Sequence, residues 1–151
     1  MATIFDVADF FLANADREDH VTHLKLQKLC AYAQAFSLAL RKKPLFGEPL
    51  EAWSHGPVVS RLYDVYKASG RNTINTDVTI EDTRALFDYE ELYILETVNS
   101  YYGGYAPHRL RDMSHIDFPG VFGSKDTIQN DDIAVSFKNH KVIRAILEGF
   151  K

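Results

Sequence analysis

A single cysteine, Cys30, leaves the chain without a partner for an intrachain disulfide and without any Cys-x-x-Cys zinc or redox pair. It lies in the apolar run Leu29-Cys30-Ala31, which reads as a small buried hydrophobe and not as a reactive thiol. Basic charge is also short: 17 Lys and Arg stand against 21 Asp and Glu, for a formal net charge of −4, and no basic run exceeds Arg41-Lys42-Lys43. Phosphate backbones are held by a concentrated positive field that releases counterions, so nucleic acid is disfavoured as a partner. No apolar stretch reaches the length of a membrane span, and Met1 to Asp6 has neither the basic nor the long apolar region of a secretory signal. The expectation is a cytoplasmic protein with no membrane partner.

Catalytic signatures are missing as well. There is no Gly-x-Ser-x-Gly turn, no Cys-His signature, and Gly103-Gly104 lacks the remaining spacing of a phosphate-binding loop. His23, His55, His108 and His115 follow no metal-binding spacing, so no metal and no cofactor are expected. The acid pairs Glu90-Glu91 and Asp131-Asp132 fall at expected helix starts, where the helix dipole accounts for them. The chain reads as a protein that is not an enzyme.

What is present is apolar surface spread evenly along 151 residues, 46% hydrophobic and 13% aromatic, enough for one self-sufficient core. Residues 1–151 read as one domain. Thr3 and Asp6 form a capping-box start for a helix whose inner stripe is Ile4, Val7, Ala8, Phe11 and Leu12, ended by the polar cluster Asn14 to Asp19. Thr22 caps a second helix, with Leu26, Leu29, Cys30, Ala33, Phe36 and Leu40 at helical spacing and an apolar arc so wide that the helix must be largely buried.

Gly47, Pro49, Gly56 and Pro57 make Pro44 to Pro57 a structured connection, with an extended piece at Leu50 to Trp53. Pro57 is placed to open a third helix, whose inner stripe would be Val58, Leu62, Val65, Tyr66 and Ser69, with Gly70 as its left-handed stop. Arg71 to Thr79 reads as a loop or brief strand, and a helical stretch from Glu81 breaks at the Asp88/Glu91 capping pair. Further helices are expected over Ala106 to His115 and from Asn130 to Gly149. The fold class is all-α, an irregular compact helical domain with room for one short β-hairpin or extended segment.

The segment Glu51 to Pro57 stands out on physical grounds. A Trp on a loop punctuated by Gly and Pro offers a large rigid anchor with one N–H donor, a combination enriched at interfaces; equally, Trp53 can plug the core where the loop crosses the helices. Gly56 and Pro57 suit a structural role. Lys25, Gln27 and Lys28 lie on the polar side of the second helix. A solvated face is the preferred reading for Lys25, whereas Gln27 and Lys28 are close enough to the apolar arc to hydrogen-bond the Trp53 loop and hold its shape. His115 is placed to cap carbonyls at a helix end. Tyr93, Tyr101, Tyr102 and Tyr105 are either a docking patch or ordinary core.

Two segments together carry a family likeness. Thr22 to Ala35, read as THLKLQKLCAYAQA, resembles the "LKLQKLLYYAQA" helix of the SocA-like Panacea antitoxin domain. Pro44-Leu45-Phe46 followed by Glu51-Ala52-Trp53 and Gly56-Pro57-Val58-Val59 is similar to that family's "pLF … eAW … GPVV" turn. Tyr102-Gly103 and Leu110 to His115 resemble its "yG … L … lTH" segment, with Ser114 in place of the usual Thr, and Asp117-Phe118-Pro119-Gly120 lacks the Trp that tends to follow. The likeness covers roughly the first 118 residues, and ordered motifs at sensible spacing are more specific jointly than singly.

The resemblance implies an antitoxin, often phage-associated, that neutralises a cognate protein toxin by direct binding. Alternatives are a protease adaptor that delivers the toxin to an unfoldase and a DNA-binding regulator. The partner-binding residues expected are Glu51, Trp53, Ser54, His55, Gly56 and Val58 in the loop, Lys25, Gln27 and Lys28 behind it, and His115. A homo-oligomer stays open.

Overall fold

In the computed structural model, which describes residues 1–16 and 18–149, the chain is mostly helical, with a small antiparallel sheet on one flank. Helix α1 spans Ile4–Asn14 and α2 spans His23–Arg41. Strands β1 (Leu50–Trp53) and β2 (Gly56–Val58) form a hairpin that leads into α3 (Ser60–Tyr66) and a 3₁₀ turn at Lys67–Ser69. The rest follows as α4 (Ile80–Arg84), α5 (Tyr89–Tyr102), α6 (Pro107–Asp117), β3 (Thr127–Ile128), α7 (Asn130–Phe137) and α8 (Lys141–Gly149).

The helix starts are local chemistry. Thr3 and Asp6 close a reciprocal capping box on α1, Thr22 Oγ1 accepts the Lys25 N–H on α2, and Asp88 and Glu91 close a second box on α5. The expected inner stripe of α1 is buried apart from the half-buried Leu12, and Phe10 joins it.

α2 is the axle of the fold. It packs against α1, α3, α5, α6, α7, α8 and β2, so it is covered on every side. Its apolar residues meet an aromatic cluster: the Tyr32 ring stacks on Tyr102 at 4.2 Å, and Phe36, Phe118 and Phe137 pack edge-on around them. The polar residues of α2 are buried too, which corrects the solvated face expected for Lys25 (3% exposed). The reason is that the irregular backbone around α2 needs partners, and these side chains supply them. Lys25 Nζ donates to Gly103 O, Ser37 Oγ to Lys43 O, and Gln34 both donates to Phe46 O and accepts from the Leu45 and Phe46 N–H groups.

The sheet order is β2-β1-β3, with Ala52 opposite Pro57 and Leu50 opposite Ile128. The extended piece expected at Leu50 to Trp53 is β1, but the helix expected from Pro57 starts instead at Ser60. Gly56, at φ +108°, turns the chain back onto β1, and Pro57, which has no N–H to give, falls on an edge strand where none is required. Val58 is therefore a strand residue. Val65, placed on the inner stripe from sequence, is 56% exposed because α3 ends after seven residues and only Leu62 is buried on it. β3 was not expected. It forms because the 119–126 loop lies along β1, with Gly123 N and Lys125 N donating to Ala52 O and Ala52 N donating to Asp126 O.

The last two helices are pinned through Asp117. Its carboxylate accepts from Tyr32 Oη at 2.6 Å and faces His140 Nε2 at 3.4 Å, and its main-chain oxygen accepts from Ser136 Oγ. Burial alone would raise the Asp117 carboxyl, but the hydrogen bonds from His140 and Tyr32 outweigh it and hold it below the usual range. An acid lowered on folding adds stability above its unfolded value near 3.9, and that stability is lost as pH falls through the folded value. Tyr32→Phe should therefore cost about 2 kcal/mol at neutral pH, as for a hydrogen bond to a charged group, with the difference shrinking as pH falls below the unfolded value near 3.9. Urea unfolding of both proteins across that range measures it.

Candidate functional site

The hairpin gathers most of the residues that sequence singled out and divides them into a front and a back. At the front, Ser54 and His55 form the exposed turn, and Trp53 and Glu51 are half-buried beside it. Trp53 is held from several directions: Nε1 donates to Glu51 Oε1 at 2.9 Å, the ring lies 4.7 Å from that of Tyr63, and Lys125 Nζ sits 5.0 Å from the ring centroid. An indole fixed in this way presents an edge at little further cost in side-chain entropy.

The back of the hairpin is a layer of buried polar groups. Gln27 Oε1 accepts the Val59 N–H at 2.9 Å while its Nε2 donates to Val59 O, so one side chain satisfies both backbone groups at the foot of β2. Lys28, with no exposed surface, donates from Nζ to Pro57 O at 2.8 Å. With no carboxylate among its hydrogen-bond partners, burial lowers the Lys28 amine from 10.5 to about 7. Gln27, Lys28, Gly56 and Val58 are thus enclosed and shape the front without offering surface of their own, whereas Lys25, equally buried, spends its amine on Gly103 O beyond α5.

His115, half-buried at the end of α6, latches the turn. Its Nε2 lies 2.9 Å from Ser54 O and its Nδ1 lies 2.8 Å from Arg111 O, so it reaches a carbonyl of its own helix and one of the hairpin. Phe122 packs on the ring at 4.7 Å. Lys125, Phe122 and Tyr63 complete the face and were missed in the sequence. Lys125 and Phe122 lie some 70 residues from Trp53, in a loop whose only signal was a pair of Phe, and nothing local ties them to it.

The tyrosine cluster splits. Tyr102 is core, while Tyr93, Tyr101 and Tyr105 are exposed along clefts between α5, α6 and α8; the larger, about 740 Å³, is also lined by Met113, Ile116 and Val142. Among the described residues no three His, Cys, Asp or Glu side chains converge as metal ligands, and no helix is long and apolar enough to cross a membrane.

The structure thus sets one aromatic side chain, held by Glu51, Tyr63 and Lys125, on a braced hairpin at the flank of a helical scaffold. The family model of the antitoxin SocA-like Panacea domain matches residues 26–117, from α2 through the hairpin to the end of α6. The chain belongs to that family. No curated protein and no solved structure matches it.

Proposed function

We propose that this protein is an antitoxin that neutralises a cognate protein toxin by direct binding, with the Glu51 to Val58 hairpin as its docking face. Beside the family membership, one observation carries the reading: Trp53 is partly exposed yet fixed by Glu51, Tyr63 and Lys125 at the side of a turn whose Ser54 and His55 are open to a partner. Nanomolar neutralisation needs about −12 kcal/mol after ordering costs, and a few pre-set aromatic anchors supply most of such an energy. Occlusion of the toxin is the mechanism, and no covalent step is involved.

The test is co-expression with the toxin encoded beside it. Trp53→Ala should fold, since the indole is only half-buried, and should bind at least tenfold more weakly, with partial or no growth rescue. If the folded variant binds and rescues as well as wild type, the hairpin is not the docking face.

A second reading is an adaptor that hands the toxin to a protease unfoldase, which requires a further surface. The exposed Tyr101, Tyr105 and Ile116 favour it, because they lie along a cleft whose residues are not those of the hairpin. Toxin lifetime in cells separates the two: occlusion leaves it unchanged or longer, and delivery shortens it.

A further inference from the structure

The hydrogen-bond polarity behind the hairpin fixes the protonation of a buried histidine. Val59 N–H can only donate, so Gln27 must turn Oε1 toward it, and Gln27 Nε2 is then the donor to Val59 O. The same Nε2 lies 3.1 Å from His23 Nε2, and its second hydrogen is directed there. His23 Nε2 must therefore be the bare, accepting nitrogen, with the ring proton on Nδ1. A chain of defined direction runs from the imidazole through Gln27 to Val59, the residue that closes the hairpin and whose carbonyl also accepts the Tyr63 N–H in the first turn of α3.

We propose that the hairpin is proton-gated: uptake of a proton by His23 sets two donors against each other at Nε2, breaks the Gln27–Val59 clamp and frees the foot of the hairpin. The idea rests on the docking reading above for its consequence, loss of partner binding in acid, but the gating itself concerns this chain alone.

The surroundings of His23 set the direction. On its own helix it faces Lys28, and on α3 it meets the rings of Tyr63 and Tyr66 at 5.4 and 6.3 Å; Tyr66 in turn feels Asp9 of α1. Burial, helped by the Lys28 charge, holds the imidazole below its ordinary value, so the clamp is intact at neutral pH and fails only on acidification. Lys28 faces Pro57 O on β2 and Ser114 on α6 across Gly56, and it carries its charge more fully as pH falls. Acid therefore places two cations behind the same strand. At the tip the two ring nitrogens of His115 face Ser54 O and Arg111 O, away from the foot.

Hydrogen exchange of the Val59 amide reads the clamp directly, since its acceptor is Gln27 Oε1. After correction for intrinsic rates, protection at Val59 should fall at least tenfold between about pH 7.5 and about pH 5, while Leu95 in the middle of α5 changes much less. His23→Gln, which offers an oxygen to Gln27 and does not titrate, should hold Val59 protected at both values. Equal protection of Val59 in the wild type at both pH values, or the same fall in His23→Gln, overturns the proposal. Should that variant not fold, the ¹⁵N shifts of the His23 ring decide on the wild type: protonated Nδ1 and bare Nε2 at neutral pH are required, and the opposite tautomer refutes the gate. If the foot opens in acid and toxin capture is unaffected, the gate's reach to the partner falls, together with the hairpin as docking face.

Discussion

Gly56→Ala should destabilise the protein by about 4 kcal/mol, at the upper end of what single substitutions do, and lower the melting temperature by roughly 10 °C. Two costs combine. The φ of +108° lies where a side chain is strained, and a Cβ built there would come within 2.6 Å of Ser114 Oγ and 3.2 Å of the Lys28 amine and its Cε. Ser114 is itself committed, donating to Arg111 O, and both it and Lys28 are fully buried, so neither can step aside without losing a bond. Gly104, which has open space around it and no positive φ, is the control: Gly104→Ala should change stability by less than about 0.5 kcal/mol. Thermal unfolding of the two variants checks both. Equal effects would mean that the turn is not packed as described.

The second large effect is alkaline. A base whose value drops on folding makes the unfolded chain hold more protons, so stability rises with pH between the folded and unfolded values. For Lys28 that window runs from about 7 to 10.5, and at 1.36 kcal/mol per unit the rise totals about 4 to 5 kcal/mol. Below about pH 7 both states carry the proton, and the penalty of the buried charge is present in full. Cys30 pulls the other way above its ordinary range, because burial pushes the thiol up and the folded state keeps its proton. The informative quantity is therefore the wild-type curve minus that of Lys28→Met. That difference should climb through the window, while the variant at neutral pH is as stable as wild type or more so, despite leaving Pro57 O without its donor. A flat difference would show that Lys28 finds a compensating charge.

Both residues were legible in the sequence, Gly56 as structural and Lys28 as a hydrogen-bond partner of the Trp53 loop. The ends of α1, α2 and α5 were legible because a cap is a local bond, Thr3 with Asp6 or Asp88 with Glu91, and β1 was legible from the punctuation around Leu50 to Trp53. Pro57 was misplaced because the first turn of a helix and an edge strand both accept a residue without an N–H, and only the pairing with Ala52 decides between them. Lys25 looked solvated because helical periodicity counts polar residues as outward. That rule fails when the surrounding chain is irregular and needs donors at depth, as at Gly103 O. In the site, residue type pointed to Trp53, Ser54 and His55, and proximity along α2 pointed to Gln27 and Lys28. Lys125 over the indole and Phe122 on His115 arise from a loop folding back across the sheet, which no local pattern encodes.

Toxin capture by the hairpin, the function proposed for it, is open to a direct test. Hydrogen exchange of this protein alone and in complex with its toxin tests it most directly. Protection on binding should be gained first at residues 51–58 and in the loop carrying Lys125. A footprint confined to other helices, with the hairpin exchanging as it does in the free protein, would contradict it.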